Sequence, residues 1–377
     1  MGWLLPQLVT LAGVALTAAL IIAWCSPFEA LGWWAGWSGG LDDDVGALPR
    51  VVQPSTTRSY LVYLTGIGGF APNEEGYSRR ELSFFDGLSA QLPDVVLVHD
   101  VFPFSVSNNP LDGQRQLAGL WSWLHSRVRK PGGALLYNLV MTRNMMQVAV
   151  SSDRRYGPIY NYGVGREIAQ SLVRHGYRPD SYTPVVLLGV SGGGQVALGA
   201  APTVRALLGA PVTVISLAGV LSDDPGIDTI EHLYHLQGSR DRVPLLGALL
   251  FPGRWPWVGH SNWNRAQHDG RITLIDTGPM THMGEHEYLA RRAVLPNGQR
   301  HVDHTIELIE KIFVEEGLCA RTQQSAVSSQ QGGVLRCILP SLFHGTGLCQ
   351  NGAFALTPTP LPSAGDGAGG GAKRALF

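Results

Sequence analysis

Apolar residues dominate the start of the chain, and residues 3–24 carry no charged side chain. As a helix rising about 1.5 Å per residue, such a segment reaches roughly 33 Å, enough to cross a bilayer core. It is expected to be a retained, single-pass membrane anchor. A cleaved leader would want a basic start, and no Lys or Arg precedes Arg50. A buried core helix is the alternative. The apolar, aromatic character continues through residues 31–41 (LGWWAGWSGGL). Trp33, Trp34 and Trp37 suit the membrane–water interface. A second short span there is the weaker expectation, because Glu29 lies beside it. The side of the membrane is undetermined, since no Lys or Arg flanks the segment.

Residues 42–57, an acidic run followed by prolines and polar residues, read as a linker. Beyond it the pattern changes to short apolar runs separated by amphipathic stretches. Strands are expected at 60–64 (YLVYL), 94–99 (DVVLVH), 184–190 (PVVLLGV), 211–217 (PVTVISL), 232–236 (HLYHL) and 271–276 (RITLID). Helices are expected at 164–175 and 194–208, and at 302–313, which Asp303 is placed to cap. Leu117, Leu120, Trp121, Leu124 and Val128 also fall at helical spacing. Residues 134–150 fit helix or strand. Their Met141, Met145 and Met146 suit an adaptable apolar surface beside a lipid pocket, with plain core packing as the alternative. Strand alternating with helix implies an α/β fold: a mostly parallel sheet covered on both faces. From about residue 317 the pattern dissolves into Gln-, Ser-, Pro- and Gly-rich sequence, a low-complexity tail (317–377) expected to be disordered.

Composition sharpens this picture. Only 15% of the 377 residues are charged against 45% hydrophobic, which favours a membrane segment. The formal net charge of −1 gives no basic footprint for nucleic acid. Cys25, Cys319, Cys337 and Cys349 show no zinc spacing.

The chemistry centres on Gly189-Val190-Ser191-Gly192-Gly193, a G-x-S-x-G pattern. Its context gives it weight: the serine directly follows a buried strand and precedes a small-residue helix. A nucleophile projecting from so sharp a turn needs Gly189 and Gly193 where side chains would clash. The N–H of Gly192 then faces a developing oxyanion at a helix start. A Gly-Ser turn binding phosphate is the rival reading.

A serine nucleophile needs a base, and the base needs an orienting acid. Asp241 follows the strand at 232–236, and His282 follows the strand at 271–276, so both are expected at strand carboxyl ends. His286 is the alternative base; His260 precedes its strand and fits less well. Thr65-Gly66-Ile67-Gly68-Gly69 follows the first central strand. The N–H of Ile67 is its best second oxyanion donor, with Gly68 next.

In this order the features resemble the α/β-hydrolase superfamily over roughly residues 58–316. The resemblance implies an eight-stranded, mostly parallel sheet and cofactor-free acyl transfer. Two departures stand out. Thr65 replaces the histidine usual before the oxyanion glycine, and the long span before Ser191 implies an inserted cap or lid at about residues 104–161.

The leading expectation is a membrane-associated serine hydrolase, esterase- or lipase-like, that cleaves a hydrophobic acyl ester and has membrane lipid as its partner. An acyltransferase using the same three residues and a non-catalytic membrane-bound binding scaffold are the rivals. His301-Val302-Asp303-His304 lacks a third ligand region, so no metal is expected.

Overall fold

The computed structural model describes residues 4–35, 57–69, 76–106, 108 and 134–320. Most of the linker, the apolar stripe from Leu117 to Val128, Trp37 and the tail beyond 320 lie outside the described residues.

Six strands form one sheet: β1 (Ser59–Leu64), β2 (Val95–Val98), β3 (Val185–Val190), β4 (Val212–Leu217), β5 (Leu233–Gln237) and β6 (Ile272–Asp276). Their order is β2-β1-β3-β4-β5-β6, and every neighbouring pair is parallel. The resemblance implied eight strands; the described residues supply six. Helices cover both faces, which explains why β1 and β4 are buried along their whole length.

Alternate residues feed two cores. Tyr60, Val62, Leu64, Val185, Leu187, Val212 and Val214 face one. That side is covered by the helices α3 (Ala134–Ser152), α4 (Gly157–Arg174) and α5 (Gly192–Leu208). Leu61, Tyr63, Val186, Leu188, Ile215 and Leu236 face the other. There they meet α2 (Arg79–Gln91) through Phe84, Phe85 and Leu88, and the closing helix α8 (His301–Glu315) through Ile306, Ile309 and Phe313. Two short helices, α6 (Leu245–Leu250) and α7 (Asn262–His268), lie between β5 and β6.

The first helix, α1, runs from Leu4 to Trp34 with Pro27 inside it. Among the described residues no helix is long and apolar enough to cross a membrane. Many side chains of α1 lie outside that set, so the anchor reading rests on its sequence. The interface reading of Trp33 is corrected. Trp33 is buried with Ala30 in the core, and its ring centroid lies 6.3 Å from that of Tyr162 on α4. Packing against the body wins because α4 offers Gly163, where a side chain would crowd the Trp33 ring. Trp34 is exposed.

Asp303 does not cap the closing helix. Arg300 occupies the N-cap position, and Asp303 in the first turn accepts its guanidinium at 2.5 and 2.8 Å. The carboxylate still favours the helix start through the dipole.

Candidate active site

The topology puts a crevice where β1 and β3 lie side by side, because the chain leaves these neighbours in opposite directions across the sheet. The loops after both strands meet there.

Ser191 forms the turn between β3 and α5. Its backbone sits at φ 51°, ψ −120°, a conformation that costs a non-glycine residue of order 1–3 kcal/mol. Neighbouring glycines are required sterically. A Cβ on Gly189 would lie 2.4 Å from the Gly193 carbonyl oxygen, and one on Gly193 would lie 2.5 Å from the carbonyl oxygens of Leu64 and Thr65. The Ser191 N–H donates to Leu217 on β4 at 2.9 Å, which holds the strained turn.

The loops after β5 and β6 bring Asp241 and His282 to this serine. Ser191 Oγ lies 2.9 Å from His282 Nε2. His282 Nδ1 lies 2.8 Å from Asp241 Oδ2. The Asp241 side chain is fully buried and accepts two further hydrogen bonds, from the Val243 N–H at 2.9 Å and the Tyr288 hydroxyl at 2.8 Å. Burial pushes its carboxyl pKa up. The hydrogen bonds from His282, Val243 and Tyr288 outweigh that and hold it below its usual value. Tyr288 in turn accepts the Gly238 N–H at 2.7 Å, so the strand-end loop, the tyrosine and the acid form one unit.

The alternative base stands elsewhere. His286 is exposed, its ring 6.0 Å from that of His301, and His260 is exposed beside α7. His301 and His304 pair with the Glu287 carbonyl and the Gln299 side chain, and among the described residues no group of ligands is placed to hold a metal ion.

The segment after β1 closes a tight turn, with the Gly69 N–H donating to the Gly66 carbonyl at 2.9 Å. Gly66 packs against Ser191: a Cβ there would lie 3.5 Å from the serine's own. Gly192 lies beneath Ile67 and Val148, whose methyl groups would each come within 2.7 Å of an added Cβ. Thr65 is tied down by Glu81, which accepts its hydroxyl at 2.8 Å and that of Tyr63 at 2.9 Å. Glu81 also closes a reciprocal capping box with Ser78 at the start of α2. From the stretch between β2 and β3, Asn144 on α3 donates to the carbonyls of Ile67 and Gly69 at 2.8 and 3.0 Å.

Sequence reasoning missed Tyr288, Asn144 and Glu81. A signal existed for the last: Ser78 followed three residues later by Glu81 is a helix-start pattern. A cavity of about 1420 Å³ is lined by Ser151, Asp223, Asp224, Phe251 and His260 among others, and its lining does not include Ser191, His282 or Asp241.

No family model matches the chain, and no curated protein matches it. Among solved structures it is similar to esterase B from Lactobacillus rhamnosis, in a crystal structure with a C4-C4 SN3 tributyrin phosphonate inhibitor. The identity is 11%, covering 74% of this chain and 81% of that one, with a TM-score of 0.30. A likeness at that level carries no argument about activity.

Proposed function

We propose that this chain is a serine hydrolase that cleaves a carboxylic ester through an acyl-enzyme on Ser191. The observation that carries the reading is the continuous relay from Ser191 Oγ to His282 Nε2 and from His282 Nδ1 to Asp241 Oδ2, at 2.9 and 2.8 Å, on a strained strand-to-helix turn.

In this reading Ser191 Oγ attacks the ester carbonyl carbon while its proton passes to His282 Nε2. The negative charge that develops on the carbonyl oxygen faces the N–H of Gly192, at the start of α5, and that of Ile67. The carbon–oxygen bond to the alcohol then breaks, and His282 returns the proton to the leaving alcohol. A water molecule, deprotonated by His282, releases the acid and regenerates the serine. Asp241 fixes the imidazole tautomer and balances the charge on the ring.

The same proposal places the first part of α1 in a bilayer, with a hydrophobic acyl ester of lipid character as substrate. It is supported by the charge-free run over residues 3–24 and by the exposed Val9, Leu11, Val14, Leu16 and Ile21.

The test is a fluorophosphonate probe together with nitrophenyl esters of graded chain length, comparing wild type with Ser191→Ala. Labelling should vanish in the variant, and turnover should drop roughly 10⁴-fold or more. A folded wild type that takes no label and cleaves no ester, thioester or amide would sink the enzyme reading in favour of a binding scaffold.

A further inference from the structure

We infer that Asn144 is a positioning residue of the oxyanion loop: from α3 its carboxamide pins the 66–69 turn so that the backbone donors of Ile67 and Gly68 stay aimed and free. This rests on the serine-hydrolase reading above.

The problem Asn144 solves is one of flexibility. Gly66, Gly68 and Gly69 surround Ile67, so the turn has unusual torsional freedom. It lies beyond the end of β1, where the sheet ladder no longer holds it. Preorganised donors are effective only when their direction is fixed before charge develops.

The structure fixes that direction through the carbonyls. The Gly66 oxygen is held by the Gly69 N–H at 2.9 Å. Those of Ile67 and Gly69 are held by the Asn144 amide nitrogen at 2.8 and 3.0 Å. No peptide bond among the described residues is cis, and in a trans peptide the C=O and N–H point opposite ways. Pinning the Gly66 oxygen therefore aims the Ile67 N–H, and pinning the Ile67 oxygen aims the Gly68 N–H. Among the described residues neither N–H has an acceptor.

Asn144 is itself held. It is fully buried, and its Oδ1 accepts Arg143 Nη1 at 3.1 Å. That bond fixes which end of the amide faces the turn. Plain core packing would account for a side chain of this size here, but not for both amide hydrogens being spent on one glycine-rich turn. Four residues on, Val148 of the same helix packs where it would meet a side chain on Gly192, the other expected donor. One helix of the inserted segment thus touches both arms of the oxyanion site.

The test uses the full-length protein and two variants. Asn144→Asp keeps the shape and removes both donors; Asn144→Ala introduces no buried charge and serves where the aspartate variant unfolds. Each is compared on a nitrophenyl ester and on the matching thionoester, whose C=S accepts hydrogen bonds poorly. Circular dichroism and thermal melting report folding. Removing a direct oxyanion donor costs about 10²–10³ in kcat, which bounds an indirect effect. The expected result is a loss of about 10- to 100-fold in kcat on the ester, KM within about threefold, and a clearly smaller loss on the thionoester. The preference for C=O over C=S should therefore shrink.

Equal losses on the two substrates, with the preference intact, would make Asn144 a packing residue and overturn the inference. Wild-type kcat in a folded variant would do the same. Failure of the underlying reading looks different: the wild type itself would turn over neither substrate and would match Ser191→Ala.

Discussion

The hydroxyl of Tyr288 donates to Oδ2 of Asp241, the same oxygen that faces His282 Nδ1, at 2.8 Å in each case. The acid is thus oriented from two directions. Tyr288→Phe keeps the ring and removes one bond to a carboxylate, an interaction worth about 1.5–3 kcal/mol. The expected loss in kcat/KM lies at about 10- to 100-fold, with the nucleophile still labelled by a fluorophosphonate.

Acid titration of stability checks the same bond. The Asp241 pKa is held below its usual value in the folded protein. Its contribution is therefore present above the unfolded pKa of about 3.9 and is lost as pH falls through the lower folded value. Tyr288→Phe narrows that gap. Denaturant unfolding curves of variant and wild type should differ at neutral pH and converge below about pH 4; a constant offset down to pH 2 would contradict the assignment.

The backbone of Ser191 makes a separate prediction. At φ 51° any Cβ is strained, so Ser191→Ala keeps the penalty and Ser191→Gly relieves it. Both should be inactive, yet the glycine variant should be about 1 kcal/mol more stable than the alanine variant. Equal melting temperatures would show that the turn holds no such strain.

Asp224 titrates in the opposite sense to Asp241. Burial raises its pKa to about 6, against hydrogen bonds from Gly226 and Gln195 that lower it. The unfolded chain loses this proton first, so stability should decline as pH rises from about 4 through about 6. The span corresponds to about 3 kcal/mol at most. Asp224→Asn should flatten that part of the stability curve, as read by denaturant unfolding, with no parallel change in nucleophile labelling.

Truncation separates two parts of α1. Removing residues 1–26 keeps Ala30 and Trp33 and should leave ester hydrolysis and melting near wild type; under the proposed bilayer placement of α1 it should also abolish co-sedimentation with membranes. Removing residues 1–38 also strips the buried Trp33, a loss comparable to a Trp→Ala core change, about 3–5 kcal/mol. Equal stability of the two truncations, measured by denaturant unfolding, would show that Trp33 contributes nothing to the body.

The sheet was legible because every strand is a short apolar run punctuated by glycine, proline or charge, and each of the six expected strands lies within a residue or so of its place. The spacing of Ser191, Asp241 and His282 was legible for a related reason. Parallel strands put all their carboxyl ends on one edge, so residues just past successive strands converge. Trp33 misled because a tryptophan suits a bilayer interface and a protein core equally, and only its partner at Tyr162 decides. Residues 134–150 form α3, but their periodicity did not separate helix from strand, because few positions face water cleanly. Tyr288 and Asn144 gave no signal at all. Their importance lies in which backbone and carboxylate atoms they reach across long sequence separations, 47 residues from Tyr288 to Asp241 and 77 from Asn144 to Ile67.

The bonds from Asn144 to Ile67 and Gly69 also bear on how freely this chain can be re-engineered. Inserted segments over a catalytic crevice are attractive units to exchange between scaffolds, on the assumption that the sheet and its loops stand alone. Here α3, between β2 and β3, supplies the donors for two carbonyls of a loop that follows β1. A chimera that imports a foreign segment in place of α3 leaves those oxygens without these donors unless a carboxamide is rebuilt at the same place. The grafting boundary therefore runs through α3, not around it.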